Sequence, residues 1–370
     1  INRSFQSCYL EKKDTDVYFV NLINNTDIDY SRYKFFYVNY LISQNKFDEI
    51  KEIVNEIDTL SSTLLVLQLK NWVDNTKLEK ITEIFSCKNE SDILSEFFFI
   101  IANLYSSQEQ YENSNLFLNI ANFLNPKFRF NTSLIIENNF GNENYKKTKV
   151  LLSRFNKKDE IYYWYKIKKI IQIISQESNQ EEAINYINSK FSKIENPSTK
   201  ILFDMGNIAK GFKKYQSSIN YYDSVIPRIE KNSITYADLL YRRGGSYERL
   251  GKYEESDKDL LKSLEINKED AYVLNYLAYS WLERDYKIDT AIQMLDKAYE
   301  QRNNDPYIID SVGWGYYLIN DFVNSEKFLK QALQLMPDDP IVNDHYGDVL
   351  WQMGRTIEAK YYWESVLNFK

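Results

Sequence analysis

The sequence predicts an all-α fold, a solenoid of stacked helical hairpins, because its C-terminal third repeats with a nearly constant period. Three similar segments begin at Ala271, Pro306 and Pro340, and the two prolines are 34 residues apart. In each segment a small residue is followed three positions later by a large one. These pairs are Ala278 and Trp281, Gly313 and Tyr316, and Gly347 and Leu350. Such an alternation indicates helices that pack closely against each other.

Each of these segments starts with the features of a helix N-terminus. Asp305 and Asp339 each precede a proline, and Asp270 precedes an alanine. Aspartate is a preferred N-cap, and proline at the first helical position loses nothing, because that N–H has no intrahelical partner. Glycine inside a helix costs about 0.5–1 kcal/mol relative to alanine. We therefore expect Gly313 and Gly347 to be required for close packing.

The same register extends upstream of these segments. Further units begin at Ala237 and near Thr199, and the longer Thr199 unit predicts an extended second helix. Towards the N-terminus, Ser95–Phe128 is a good match in the same phase, and the other segments are poorer copies. The whole chain predicts about eleven repeats of two helices each. We predict divergent helical repeats over residues 1–198. Regular repeats, starting near 199, 237, 271, 306 and 340, would follow over residues 199–370 and continue the same solenoid.

The composition suits a helical chain with short turns, because ten glycines and six prolines are few for 370 residues. A net charge of −7 argues against binding nucleic acid or an anionic membrane surface. No apolar run approaches the roughly 20 residues that a membrane span needs. The two cysteines, Cys8 and Cys87, form no CxxC motif. We expect both on helices as buried, reduced thiols that leave the redox compartment open.

No pattern in the sequence predicts catalysis. His345 is the only histidine, and it has no cysteine or serine partner at the spacing of a catalytic motif. No phosphate-binding glycine loop and no ligand spacing of a metal site is present. The sequence therefore predicts a protein that is not an enzyme and that needs no cofactor and no metal.

The period and the small and large positions resemble the tetratricopeptide repeat (TPR), which implies a right-handed superhelix. Within that class, the run LNYLAYSW, DSVGWGYYL and NDHYGDVLWQMGR resembles TPR proteins of the bacterial envelope. These include adaptors that present substrates to a carboxyl-terminal processing protease. The resemblance implies a scaffold in the periplasm or at the outer membrane that binds a protease, lipoprotein or assembly partner. A cytoplasmic peptide-binding module, or the substrate-recognition region of a larger enzyme, remain as alternatives.

The resemblance also implies a binding surface, because the first helix of each TPR pair lines the concave groove. The residues that we expect to face a partner there are Tyr272, Asn275, Tyr279, Tyr307, Asp310, Trp314, Tyr317, Asp344, Asp348 and Trp351, with Leu282 and Ile341 at equivalent positions. They combine aromatic rings with amides and carboxylates, so a neutral or basic protein segment is the expected partner. The alternative is that these aromatic rings only pack against neighbouring helices.

The chain ends leave two further expectations. The last repeat has no capping helix after it, so Trp351, Trp363 and Phe369 are expected to be partly exposed, either because the chain is truncated or because they form a docking or dimer surface. The chain begins with Ile1 rather than methionine, so an export signal or a lipid anchor would lie upstream.

Overall fold

The computed structural model describes residues 1–25 and 28–367, and within them all regular structure is helical. The chain divides into two compact units, Ile1–Ile201 and Leu202–Lys370. The described residues form 22 α-helices, most of which pair with the next helix as a hairpin. The predicted all-α fold of helical hairpins is thereby confirmed. None of these helices is both long enough and apolar enough to cross a lipid bilayer.

The N-terminal unit contains the first twelve helices and a 3₁₀ turn at Ser31–Tyr33. They are α1 (Asn2–Tyr9), α2 (Thr15–Ile23), α3 (Lys34–Ser43), α4 (Phe47–Asn55), α5 (Leu64–Asp74), α6 (Glu79–Ile84), α7 (Glu90–Ser107), α8 (Tyr111–Leu124), α9 (Arg129–Gly141), α10 (Tyr145–Leu152), α11 (Glu160–Glu177) and α12 (Gln180–Phe191).

The remaining helices belong mainly to the C-terminal unit, and the division between the units falls within the first of them. They are α13 (Thr199–Gly211), α14 (Tyr215–Val225), α15 (Ile234–Glu248), α16 (Tyr253–Ile266), α17 (Ala271–Leu282), α18 (Ile288–Gln301), α19 (Pro306–Leu318), α20 (Phe322–Leu335), α21 (Pro340–Gln352) and α22 (Thr356–Val366).

The predicted helix starts at Ala271, Pro306 and Pro340 are confirmed, because aspartate caps all three helices. The Asp270, Asp305 and Asp339 side chains each accept hydrogen bonds from the backbone N–H groups of the second and third helical residues. These bonds satisfy donors that have no partner within the helix. The unit predicted at Ala237 starts three residues earlier, at Ile234, because the Ser233 side chain supplies the N-cap.

The prediction of an extended second helix in the Thr199 unit is wrong. Helix α14 ends at Val225, and Ile226–Arg228 forms a 3₁₀ turn that contains Pro227. Proline has no N–H to donate and its ring obstructs the preceding helical turn. The extra residues of this unit therefore form a turn and a loop.

In four hairpins of the C-terminal unit, close packing depends on a glycine that faces a large residue 16 positions later. Gly206 faces Tyr222, Gly244 faces Leu260, Gly313 faces Leu329 and Gly347 faces Trp363. A Cβ atom added to Gly313 would lie 2.6 Å from Leu329 Cγ, and one added to Gly347 would lie 2.5 Å from Trp363 Nε1. The structure thus supports the expectation that these glycines are required for packing.

A disulfide joins Cys8 of α1 to Cys87 in the turn between α6 and α7, with the two Cα atoms 5.9 Å apart. The expectation of reduced thiols is therefore wrong, as is the helical position expected for Cys87, whereas both residues are buried and Cys8 lies on a helix as expected. Both sulfurs belong to the aromatic core of the N-terminal unit, where Phe5 packs against Phe36 and Phe85. The residues are 79 positions apart, and no local pattern in the sequence could have indicated that they meet.

Candidate partner-binding site

The candidate site is the surface formed by α17, α19 and α21, the first helices of three consecutive hairpins, which pack side by side. We call this surface the first-helix face. The second residue of each helix is solvent-exposed, with exposed fractions of 46% for Tyr272, 66% for Tyr307 and 59% for Ile341. Trp351 near the end of α21 is 51% exposed. Exposed aromatic and aliphatic side chains in such a row are typical of interaction surfaces.

A cluster of four side chains lies at the centre of this face: Asp310, Trp314, Tyr317 and His345, here called the central cluster. Asp310 and His345 are both buried, and His345 Nδ1 lies 3.0 Å from Asp310 Oδ1. The Trp314 ring stacks on His345 at a centroid distance of 4.1 Å and on Tyr317 at 4.6 Å. The cluster joins α19 to α21 and fixes the orientation of the Trp314 ring.

The indole N–H of Trp314 is also fixed by a hydrogen bond. Its Nε1 donates a hydrogen bond to Glu283 Oε1 at 2.6 Å, just after the end of α17. Tyr317 Oη accepts a long hydrogen bond of 3.5 Å from Gln352 Nε2, at the end of α21. The half-buried rings at the centre of the face are therefore positioned before any partner arrives, which reduces the entropy lost on binding.

Carboxylates lie beside the aromatic rings. Asp344 is exposed, and the half-buried Asp348 accepts a hydrogen bond of 3.2 Å from Trp363 Nε1. Burial, followed by the neighbouring Asp344 carboxylate, raises the pKa of Asp348 above its usual value. Two neighbouring carboxylates form a place where a cation of a partner would be stabilised.

The α17 side of the face carries a second set of polar groups. Burial, then the nearby Glu283 carboxylate, raises the pKa of Tyr279, so its phenol remains a hydrogen-bond donor at neutral pH. Asn275 Oδ1 is buried and has no hydrogen-bond partner in the described structure. The Tyr272 hydroxyl donates to Asp305 Oδ2 at 3.2 Å. This side can therefore offer directed polar contacts next to the exposed rings.

The predicted site residues fall into three groups in the structure. The exposed ones are Tyr272, Tyr307, Ile341, Asp344 and Trp351, and the half-buried ones are Asn275, Tyr279, Trp314, Tyr317 and Asp348. Asp310 and Leu282 are buried. The expectation that Leu282 points towards a partner is wrong, because its side chain belongs to the core between neighbouring helices. Asp310 serves as the buried partner of His345 instead of presenting its carboxylate.

Sequence reasoning missed Glu283, His345 and Gln352 as parts of this surface. The sequence does carry a signal for His345 and Gln352, because adjacent first helices bring together residues that are 35 positions apart. Asp310 meets His345 and Tyr317 meets Gln352 at that separation. The contact of Glu283 with Trp314 spans 31 positions, about one helical turn less. A search for polar and aromatic residues at these separations could have found the central cluster.

The buried Asp310–His345 pair links α19 to α21 at the centre of this face. In the described part of the chain, the side-chain hydrogen bonds of His345 go only to Asp310. An activated nucleophile would have to lie within hydrogen-bond distance of this imidazole. No group of three or more potential metal-ligating side chains occurs among residues 1–25 and 28–367. The observed geometry positions the Trp314 ring.

Comparison with protein families identifies the repeat type. Residues 237–270, which include most of α15 and all of α16, match the family described as tetratricopeptide repeat. This segment of the chain is therefore similar to a tetratricopeptide repeat. The hairpins after this match continue with the same helix pairing and the same small-to-large contacts, at Gly313 and Gly347.

A relative among characterised sequences is the TPR repeat-containing protein PA4667 of Pseudomonas aeruginosa. The two chains are 30% identical over 141 residues, which is 38% of this chain and 21% of that protein. This chain therefore matches about a fifth of the length of that relative. The similarity supports the TPR assignment, and it leaves the activity and partners of the longer protein unassigned here.

Solved structures of MamA align with this chain at low similarity. MamA from Desulfovibrio magneticus RS-1 aligns with 15% identity and a TM-score of 0.40, covering 48% of this chain and 97% of MamA. A double mutant of MamA RS-1 aligns with 14% identity and a TM-score of 0.39, covering 48% and 96%. A likeness this low indicates nothing about partners or location.

Proposed function

We propose that this TPR chain is a non-enzymatic scaffold or adaptor that binds a segment of another protein on its first-helix face. The observation that carries the proposal is the row of exposed Tyr272, Tyr307 and Ile341 beside the fixed rings of the central cluster. Exposed aromatic anchors that surround a rigid centre give a large apolar contact at low entropic cost. TPR hairpins supply the regular array of helices that presents such a row.

The partner segment that fits this face combines apolar anchors with neutral or basic residues. Asp344 and Asp348 provide negative charge on α21, and Glu283 provides it at the end of α17. Like charges brought close together across an interface cost free energy, so an acidic segment is disfavoured. The partner class that we propose is a protease, a lipoprotein or an assembly factor.

We further propose that the protein acts in the bacterial periplasm or at the outer membrane. The Cys8–Cys87 disulfide supports this location, because structural disulfides form and persist in oxidising compartments and are rare in the cytosol. The resemblance of the C-terminal repeats to envelope adaptors points the same way. Trapping free thiols in whole cells with a maleimide reagent tests the location: a protein that is modified at both cysteines without reductant would contradict it.

Removal of the exposed rings should weaken partner binding without unfolding the protein. In a Tyr307→Ala/Trp351→Ala variant, we expect the affinity for a basic, leucine-containing peptide to fall about tenfold or more, since buried aromatic anchors dominate interface energies. Binding is measured by the fluorescence anisotropy of a labelled short peptide in which lysine alternates with leucine and phenylalanine. Exposed side chains contribute little to stability, so the circular dichroism melting curve should barely change.

The matched control changes exposed apolar residues on the second helices. Val323 on α20 is 74% exposed and Ile357 on α22 is 86% exposed. A Val323→Ala/Ile357→Ala variant should bind the peptide as the wild type does. Equal losses in the two variants would place the contact elsewhere. If an otherwise identical peptide with glutamate in place of lysine binds more tightly to the wild type, the proposed charge preference is wrong.

The affinity for the peptide should also decrease at acid pH. The raised pKa of Asp348 means that this carboxylate takes up a proton at a higher pH than an ordinary aspartate. Lowering the pH through that pKa removes one negative charge, so the affinity for the lysine-containing peptide should decrease. Asp348→Asn keeps an oxygen that can accept from Trp363 and removes the charge. We expect this variant to bind more weakly near neutral pH, with a flatter pH profile; an unchanged profile would exclude Asp348 as the titrating group.

A further inference from the structure

A cleft of about 620 Å³ opens in the N-terminal unit, far along the chain from the first-helix face. One wall comes from α5 and α6, and the other from the loops that precede α9 and α11. Helix α5 packs against α11, although five helices separate them in the chain. In a simple stack each hairpin contacts only its neighbours. This non-neighbouring contact brings the two walls together.

The floor of the cleft is a connected polar network beside aromatic rings. In the orientation of the Gln68 amide that satisfies both of its atoms, its nitrogen donates to Asp159 Oδ1 and its oxygen accepts from Trp72 Nε1, each at 2.8 Å. Arg129 Nη1 donates to Asp159 Oδ2 at 3.0 Å. The half-buried Trp72 and Phe130 add apolar surface. The floor is thus rigid and able to hold an apolar side chain.

The rim of the cleft is positively charged in a protein whose net charge is −7. The cationic side chains that line the cleft are Lys77, Lys80, Lys127, Arg129 and Lys158, and the acidic ones are Glu83 and Asp159. Both carboxylates are already engaged: Lys80 pairs with Glu83 at 3.0 Å, and Arg129 pairs with Asp159 at 3.0 Å. Within the described residues, the exposed Lys77, Lys127 and Lys158 have no carboxylate at salt-bridge distance, although the charge of Lys127 also acts on the half-buried Asp92.

We propose that this cleft is a second binding site, for an acidic peptide segment of a partner protein that carries an apolar or aromatic anchor. Unpaired lysines at a concave surface attract and orient negative charge. The aromatic floor favours a peptide over a simple polyanion, because it offers contact area to an apolar side chain. Phosphate recognition commonly uses arginine as a bidentate donor, and the one arginine of the cleft is engaged by Asp159.

The two sites would then accept segments of opposite charge. The first-helix face is lined by carboxylates, whereas this rim presents unpaired lysines. The cleft proposal does not depend on the first-helix face, since each site has its own peptide and its own variants. The Tyr307→Ala/Trp351→Ala variant should therefore bind the acidic peptide with wild-type affinity.

The test uses the full chain and a short fluorescein-labelled peptide in which glutamate and aspartate surround one phenylalanine. We expect saturable binding by anisotropy, which weakens as salt is raised. In a Lys77→Glu/Lys127→Glu/Lys158→Glu variant, we expect the affinity to fall about tenfold or more, because three attractive charges become repulsive. Replacing the phenylalanine of the peptide by glycine should weaken binding to the wild type as well.

The control variant has the same change in net charge at exposed lysines that do not line the cleft, Lys13→Glu/Lys51→Glu/Lys146→Glu. It should bind the peptide within about twofold of the wild type. Equal losses in the two triple variants would mean that net charge, not the cleft, governs binding, and absence of binding by the wild type would also overturn the proposal. If oligothymidylate of similar length binds as tightly and responds to the same cleft variant, the site recognises polyanions and the peptide assignment is wrong.

Discussion

Gly313→Leu is expected to unfold the C-terminal repeats at temperatures where the wild type is folded. A Cβ atom at this position would lie 2.6 Å from Leu329 Cγ and 3.0 Å from the Leu329 backbone nitrogen. A leucine side chain cannot escape by rotation alone, because the backbone of α20 blocks it. Overpacking of a tight core typically costs about 1–3 kcal/mol and sometimes more, and we expect this case at or above the upper end. Loss of helical circular dichroism on heating measures the effect.

Gly211 provides the matched control for this substitution. It is the last residue of α13, and a Cβ atom there would meet no heavy atom within 4 Å. Gly211→Ala should therefore be neutral or stabilise the protein by up to about 1 kcal/mol, through helix propensity. A Gly313→Leu variant that melts like the wild type would show that α19 and α20 do not approach as closely as described.

The second large effect concerns the disulfide of the N-terminal unit. Cys8→Ser/Cys87→Ser should reduce the free energy of unfolding by about 2–4 kcal/mol, because the crosslink restricts the unfolded chain over a long loop. Both residues are buried, so the two hydroxyls would also have to be accommodated within the core. Denaturant unfolding followed by circular dichroism measures the change.

Reductant gives an internal control for that experiment. Dithiothreitol should destabilise the wild type and leave the double serine variant unchanged, since the variant has no disulfide to lose. If the purified, unfolded wild type reacts with two equivalents of a thiol reagent before any reduction, the crosslink is absent and the expected loss of stability would not occur.

Much of the C-terminal fold could be predicted because its signals are local. An aspartate before a helix and a proline at its first position are adjacent in the sequence, so Asp305 and Asp339 identify helix starts directly. The pairing of Gly313 with Leu329 lies within one repeat and recurs with its period. Ser233 lies outside the repeat pattern and caps α15. That helix therefore begins at Ile234, about one turn before the predicted start at Ala237.

The parts that could not be predicted depend on contacts between distant residues. Cys8 and Cys87 meet only because the first seven helices fold around one aromatic core. The burial of Asp310 depends on His345 in the next repeat, and an isolated aspartate on a helix face carries no sign of such a partner. The cleft in the N-terminal unit arises from the packing of α5 against α11, for which the repeat pattern contains no signal.

Site-specific photo-crosslinking in living cells tests most directly whether the first-helix face binds a partner. A photoreactive phenylalanine derivative replaces Tyr307, which is 66% exposed on α19, or Val323, which is 74% exposed on α20. We predict a discrete crosslinked product to another protein from position 307 and little or none from position 323. Equal crosslinking from both positions, or a product from position 323 alone, would contradict the proposal that the first-helix face holds the partner.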